Sequence, residues 1–145
     1  MIRVLTTCLA LVLATLPALA EEKVPATLYK NPDCACCEKY ADYLRSGGFA
    51  VTVIETRDMT PIKRKYGVSE ELEGCHTTVI GDYVVEGHVP AMAIKRLLKE
   101  RPAIKGITLP GMPEGSPGMS GVKEGPFEIL AITGQDGPAP VFAKE

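Results

Sequence analysis

The most chemically distinctive part of the chain is a segment with three cysteines in four positions, Cys34, Cys36 and Cys37. They form a C-x-C and a C-x-x-C pattern, and a more distant cysteine, Cys75, is followed at once by His76. Thiolates are soft ligands that favour Cu(I), and imidazole suits copper and zinc alike. A C-x-x-C at the start of a helix also lowers a thiol pKa. The same residues therefore predict a metal site or a redox pair.

The crowding of the cysteines favours metal binding over the other interpretations. A dithiol catalyst needs two cysteines, and a third would compete for the disulfide. Structural disulfides are disfavoured because a bridge between Cys36 and Cys37 would be strained and loops this small remove little entropy from the unfolded chain. Adjacent sulfurs are easier to explain if they bridge several copper ions. Both the redox pair and the structural disulfides remain open as alternatives.

Other soft or imidazole ligands are distributed more widely along the chain. His88 ends a predicted strand and suits a metal, the capping of a turn or a hydrogen bond to a backbone carbonyl. Met112 and Met119 lie in a segment too rich in glycine and proline to be core, so they are candidate thioether ligands, although they could also pack this loop onto the domain.

The first 20 residues have the pattern of a secretory signal peptide. Arg3 supplies a positive charge, residues 4–16 are almost continuously apolar, and Ala18-Leu19-Ala20 is a small-x-small cleavage pattern. The apolar run is shorter than the roughly 18 residues of a membrane-spanning helix, so a retained membrane anchor is the weaker interpretation. We expect residues 1–20 to be removed, which leaves residues 21–145 as one exported domain.

The charge balance excludes two classes of partner. Without Arg3 the chain carries 15 basic and 18 acidic residues, a net charge of −3. A mildly acidic chain with scattered charges has no clustered positive charge that would bind nucleic acid or an anionic membrane surface. We therefore expect neither nucleic-acid binding nor membrane binding after the signal is removed.

The elements that must position these residues follow from apolar patterns and turn signals. These patterns predict an α/β domain with a mixed four-stranded sheet, flanking helices and a thioredoxin-like order of strands and helices. The strands are expected at 26–30, 49–54, 75–80 and 83–88, and the helices at about 34–46, 60–66 and 91–100. Asp33 or Asn31 is the expected N-cap of the first helix, and Met92 is expected in the core.

The predicted topology also brings the cysteines together. A β-α-β crossover makes the first two strands parallel, and the last two form a hairpin. The cysteine turn then lies at the end of the first strand, beside the start of the third strand, where Cys75 and His76 lie. From about residue 102 the chain is expected to be irregular, with a Gly/Pro/Met-rich loop at 109–119, a strand at 127–132 and a poorly ordered tail from Thr133.

As a set, four motifs make the chain resemble the CopG-like copper-resistance proteins of bacteria, a family long described only as an uncharacterised domain. The resemblance covers about residues 28–132. Ala35 stands where many relatives have glycine, and Tyr40 where many have tryptophan; neither change removes a ligand. The motifs are Lys30-Asn31-Pro32 with Cys34-Ala35-Cys36-Cys37, Cys75-His76-Thr77, Val84 to Pro90, and Pro110-Gly111-Met112-Pro113 with Ser116-Pro117-Gly118-Met119.

The resemblance implies a thioredoxin-like periplasmic protein that handles copper, and a multinuclear copper centre. It implies copper ions as the bound species and other periplasmic copper-handling proteins as partners. The implied ligands are Cys34, Cys36, Cys37 and Cys75, supplemented by His76, His88, Met112 and Met119. The alternatives are a thiol–disulfide oxidoreductase that uses the C-x-x-C and a structural zinc module, because Cys₃His also suits tetrahedral zinc. No catalytic residue is predicted.

Overall fold

The computed structural model describes residues 22–135 and 137–145 and shows a mixed α/β fold with three α-helices and one sheet. The expected signal peptide, residues 1–20, lies outside these ranges. Within them, no helix is long and apolar enough to cross a membrane. The strands are β1 (Val24–Lys30), β2 (Phe49–Glu55), β3 (His76–Ile80), β4 (Tyr83–Gly87), β5 (Gly106–Leu109), β6 (Glu128–Ile132) and β7 (Val141–Lys144); the helices are α1 (Ala35–Ser46), α2 (Thr60–Tyr66) and α3 (Ala91–Glu100).

The sheet has seven strands in the order β2-β1-β3-β4-β5-β6-β7, so the prediction of four strands was wrong. The four predicted strands, β1 to β4, are adjacent to one another at one end of this strand order. The fifth, β5, runs parallel to β4, and β6 and β7 follow as antiparallel neighbours. β5 was missed because its four residues, all buried, are too few to show an alternating pattern.

The end of the chain is ordered, which contradicts the prediction of a poorly ordered tail from Thr133. β7 pairs with β6, and Ala143 packs into the main core. The backbone groups of Phe127 and Glu145 also exchange two hydrogen bonds, of 2.6 and 3.1 Å. Pairing with the preceding strand orders this segment, whose four residues are too few to show a strand pattern of their own.

Met92 is 74% exposed, so its predicted place in the core was also wrong. α3 packs through Ala91, Ala93, Ile94 and Leu97, which are all buried. Met92 lies on the opposite, exposed face of the helix.

The N-terminus of α1 differs from the prediction. Cys34 is the N-cap residue, and its side chain makes no capping hydrogen bond. The Asn31 side chain instead accepts a hydrogen bond from the Asp33 backbone N–H at 3.0 Å, forming an Asx turn just before the helix. Neither Asn31 nor Asp33 is therefore the N-cap. The helix ends at Gly47 as predicted.

The sheet register brings together the two segments that bear cysteines, as the topology predicted. β1 is parallel to β2 and antiparallel to β3, so the end of β1 lies beside the start of β3. Lys30 pairs with His76 in this register. β3 and β4 form the predicted hairpin, in which Thr77 pairs with Glu86. The cysteine turn after β1 and the residue before β3 consequently meet at one edge of the sheet.

Candidate metal centre

The sulfurs of the four cysteines within residues 22–135 form one cluster. All four lie within 4.8 Å of one another, although Cys75 is 38 residues from Cys37. Cys34 and Cys37 are joined by a disulfide, and Cys36 and Cys75 are free thiols. The Sγ–Sγ distances are 3.4 Å for Cys34–Cys36, 3.8 Å for Cys36–Cys75 and 3.5 Å for Cys37–Cys75. The predicted proximity of the cysteines is confirmed.

The start of α1 presents three of these sulfurs. Cys34 caps the helix, and Cys36 and Cys37 lie in its first turn. Cys37 is fully buried and points into the domain, where its Sγ lies 3.8 Å from the Cys75 carbonyl oxygen. Cys34 and Cys36 are partly exposed. One side of the cluster is therefore buried in the core, and the other side is accessible to solvent.

Burial disfavours the deprotonated, thiolate form of Cys75 in the absence of metal. Its pKa is raised to about 12, first by burial and then by the neighbouring Cys36. A thiol must lose its proton before it binds a metal. Metal binding at Cys75 would consequently release a proton at neutral pH.

His88 is oriented toward the cysteines by a backbone carbonyl. Its Nδ1 lies 2.7 Å from the carbonyl oxygen of Pro117, which can only accept, so Nδ1 carries the hydrogen in this contact. In the neutral ring Nε2 is then free of a proton, and it lies 3.1 Å from Cys75 Sγ. Burial lowers the pKa of His88 and favours this neutral form. A carbonyl that fixes the tautomer in this way is typical of metal-binding histidines.

His76 is fully buried beside the same sulfur. Its Nδ1 lies 3.4 Å from Cys75 Sγ, and its ring centre lies 4.7 Å from that of His88 and 4.4 Å from that of Tyr40. Burial, followed by the nearby His88, lowers its pKa to about 3. Its Nε2 makes no hydrogen bond of normal geometry among the described residues, although the Gly87 backbone opposes the fall in its pKa. Such an unpaired buried nitrogen is costly, and a bound ligand would relieve that cost.

Cys75, His76 and His88 form a second group of potential ligands that shares Cys75 with the cysteine cluster. Six of the eight predicted ligands are therefore together. Two thiols and two neutral imidazoles are available directly, and reduction of the disulfide adds two more thiols. A donor set of sulfur and imidazole nitrogen fits a soft metal ion and contains no carboxylate for a hard cation.

The Gly/Pro-rich loop packs against the start of α1. Gly118 has a φ of +85°, and a Cβ added there would lie 2.9 Å from the Cys36 carbonyl oxygen and 2.8 Å from the Tyr40 nitrogen. Met119 follows directly and is partly buried, so it lies in the part of the loop next to the cysteine turn. Met112 is 41% exposed, farther back along the loop. The structure thus brings the loop to the site, and thioether binding by either methionine stays a prediction.

Two residues at the site escaped the sequence analysis as functional contacts. The Pro117 carbonyl orients His88, and the Tyr40 ring packs on His76 while its hydroxyl donates to the Val89 carbonyl at 2.8 Å. Backbone carbonyls carry no residue-type signal. Tyr40 fits the apolar face of α1 and gives no sign of a histidine neighbour.

The part of the chain that contains Cys75 and the two histidines matches a known family model. A family model described as "Protein of unknown function, DUF411" matches residues 72–119, which contain Cys75 and both histidines. A search of curated proteins found no match.

Two solved structures match over most of the chain. "Copper resistance protein copG- Form 2" is 37% identical with a TM-score of 0.77, and covers 86% of this chain and 99% of its own. "Copper resistance protein copG- Form 1" is also 37% identical, with a TM-score of 0.76, and covers 86% and 98%. This identity over nearly the full length of both chains shows that the protein belongs to the family of the copper resistance protein CopG.

Proposed function

We propose that this protein is a copper-binding protein that serves copper resistance or homeostasis and holds Cu(I) through cysteine thiolates. The observation that carries the proposal is the cluster of four sulfurs within 4.8 Å of one another, which shares Cys75 with two buried histidines. The family relationship to a copper resistance protein supports copper over other soft metals. We infer further that the chain is exported to the periplasm and that β1 to β4 with their helices form a thioredoxin-like core.

The bound copper is proposed to be multinuclear. Six donors in one cluster exceed the four that a tetrahedral site requires, and Cys75 belongs to both donor groups. A sulfur that faces two groups of ligands suits a bridge between metal ions. The cargo would be received from, or passed to, other periplasmic copper-handling proteins.

The disulfide must open before all four sulfurs can bind. Reduction of the Cys34–Cys37 bond yields two thiols and takes two electrons and two protons: a dithiol supplies both and is oxidised to its disulfide, whereas a phosphine supplies the electrons, water supplies the protons, and the phosphine is oxidised to its oxide. Each thiol then releases its proton when it binds Cu(I). Reduction state and copper loading are therefore linked, which is the proposed redox role.

The test is an anaerobic titration of the reduced protein with Cu(I) against a chromophoric Cu(I) chelator, with the metal counted per chain. We expect more than one copper per chain, and a lower number in Cys36→Ser. Met119→Leu and Met112→Leu test the thioethers, with Met92→Leu as the control because Met92 is on the exposed face of α3. Zinc that Cu(I) cannot displace would contradict the copper proposal and support the structural zinc module.

The second candidate function is thiol–disulfide exchange, favoured by the Cys34–Cys37 disulfide at the start of α1. It predicts that the metal-free reduced protein reduces a disulfide substrate and that Cys37→Ser abolishes this activity. Disulfide reduction together with no competitive Cu(I) binding would replace the copper proposal with this one.

A further inference from the structure

Two buried lysines lie beneath the two segments that bear the cysteines. Lys30 is 1% exposed and Lys63 is 5% exposed, and both are rich in hydrogen bonds. Removing an ammonium group from water costs several kcal/mol unless it is paired and hydrogen-bonded. Neither lysine belongs to the ligand groups described above, so their burial calls for another explanation.

Lys63 fixes the backbone just before Cys75. Its Nζ donates to the Gly74 carbonyl at 2.9 Å and forms a buried ion pair with Glu86. The same Glu86 oxygen, Oε1, accepts the Gly74 N–H at 2.8 Å, and the other, Oε2, accepts the Thr77 hydroxyl at 2.6 Å. The residues on both sides of the Cys75-His76 pair are thereby tied to one carboxylate on β4.

The contact between Gly74 and β4 leaves no room for a side chain. A Cβ added to Gly74 would lie 2.5 Å from the Gly87 Cα. Gly87 itself separates Glu86 from His88. The Lys63–Glu86 ion pair therefore positions Cys75, through its bonds to Gly74, and also His88, which follows Glu86 by two residues.

Lys30 performs the equivalent role for the other segment. Its Nζ donates to the carbonyls of Asn31 and Pro32, each at 3.2 Å, which fixes the turn that leads into Cys34. It also contacts Glu38 at 2.9 Å, one residue after Cys37, and Glu55 at 3.2 Å. The lysine thus holds the chain on both sides of the cysteine motif.

We propose that Lys30 and Lys63 are positioning residues, each of which holds one of the two cysteine-bearing segments in the register that brings Cys75 Sγ to the sulfurs of α1. The proposal rests on the proposed function for its effect on copper. The arrangement of the thiols can be measured without metal, which keeps the two claims separable. Removal of outer-shell partners of metal ligands typically weakens binding 10- to 100-fold.

The test uses three variants and one control. Lys30→Met removes one ammonium. Lys63→Met/Glu86→Gln removes both charges of the buried pair, so that no uncompensated carboxylate is left in the interior. Lys30→Arg keeps the charge and should rescue part of the effect. Lys39→Met is the control, because Lys39 is an exposed lysine on α1 two residues after Cys37, so it removes the same charge near the cluster without removing a buried contact.

The metal-free measurement is the rate at which dibromobimane, which becomes fluorescent when it bridges two nearby thiols, links Cys36 to Cys75 in the oxidised protein. Their sulfurs are 3.8 Å apart. We expect at least a fivefold slower reaction in Lys30→Met and in the double variant, and no change in Lys39→Met. Unchanged rates in both variants, with native circular dichroism, would overturn the proposal.

The copper measurement is the same competition titration, with the number of copper ions per chain read separately from affinity. We expect at least tenfold weaker Cu(I) binding with an unchanged copper number, because no ligand is removed. If the wild-type protein binds no Cu(I), the proposed function fails and the bimane rates still decide the positioning roles. If the double variant does not fold, Lys63→Gln/Glu86→Gln replaces it, since it removes both charges but leaves two polar side chains that can hydrogen-bond to each other in the interior; a bimane rate equal to wild type would then refute the role of Lys63.

Discussion

The buried imidazole of His76 makes the stability of the metal-free protein depend on pH. Its pKa is about 3 in the folded protein, against an ordinary value of 6.5. Between these values the unfolded chain binds a proton that the folded chain does not. Protonation then stabilises the unfolded state, so stability is fully present above pH 6.5 and is lost as the pH falls toward 3.

The size of the effect follows from the shift. One pKa unit corresponds to about 1.4 kcal/mol, so His76 should cost about 2 kcal/mol of stability at pH 5 relative to pH 8. For a domain of this size, that is a fall in Tm of roughly 5–10 °C. Other groups titrate in the same range. Burial raises the pKa of Glu86, which gives the opposite sign, and lowers that of His88, which gives the same sign.

The assay therefore compares how steeply the free energy of unfolding changes with pH in wild type and in variants. Urea unfolding of the oxidised protein is measured with a metal chelator between pH 8 and pH 4.5, for wild type and for His76→Gln, which keeps a polar side chain but does not titrate. We expect the variant to lose about 2 kcal/mol less than wild type between pH 8 and pH 5. His88→Gln is the matched control and should change the slope less, because the Pro117 carbonyl opposes the effect of burial on that ring. Equal slopes in wild type and His76→Gln would refute the reasoning.

Three further predictions test the packing and the redox state of the site. Tyr40→Phe should destabilise the protein by about 1–2 kcal/mol in urea unfolding, because the buried Val89 carbonyl loses its donor; a loss below about 0.3 kcal/mol would contradict this. Gly118→Ala should weaken Cu(I) binding and lower the Tm more than Gly111→Ala, since both glycines have a positive φ but an added Cβ meets nothing within 4 Å at Gly111; equal effects would show that the loop does not press on α1. Alkylation of the denatured, unreduced protein should modify Cys36 and leave Cys34 unmodified until a reductant is added, as read by peptide mass spectrometry; the reverse pattern would exclude the disulfide.

The first half of the fold was predictable because its signals are local. The β-branched run at 49–54, the glycines that end α1 and the hairpin turn at Gly81 each identify an element from neighbouring residues. The convergence of Cys75 with the cysteines of α1 also followed from sequence, since a β-α-β crossover followed by a hairpin leaves few ways to order the strands.

The second half was less predictable because its added strands are short. β5 and β7 have four residues each, and each is stabilised by a neighbour rather than by its own pattern. The exposed Met92 was misassigned because two alanines, which are weak hydrophobic signals, complete the packing face of α3 beside Ile94 and Leu97.

The contacts that orient the ligands were invisible for a different reason. Lys30 and Lys63 look like any surface lysine in the sequence, and their burial depends on carboxylates and carbonyls supplied by other segments. Their roles follow from tertiary geometry alone.

The spacing of the cysteines along the chain has a consequence for how the protein matures. Cys34 and Cys37 are 3 residues apart, whereas Cys37 and Cys75 are 38 apart. Closing the longer loop in an unfolded chain costs about 2 kcal/mol more. A newly made chain that meets an oxidant before it folds should therefore form a bond within the Cys34 to Cys37 motif before any bond to Cys75, and the folded protein contains such a bond. Early oxidation then leads toward the native structure instead of trapping Cys75 in a wrong pair.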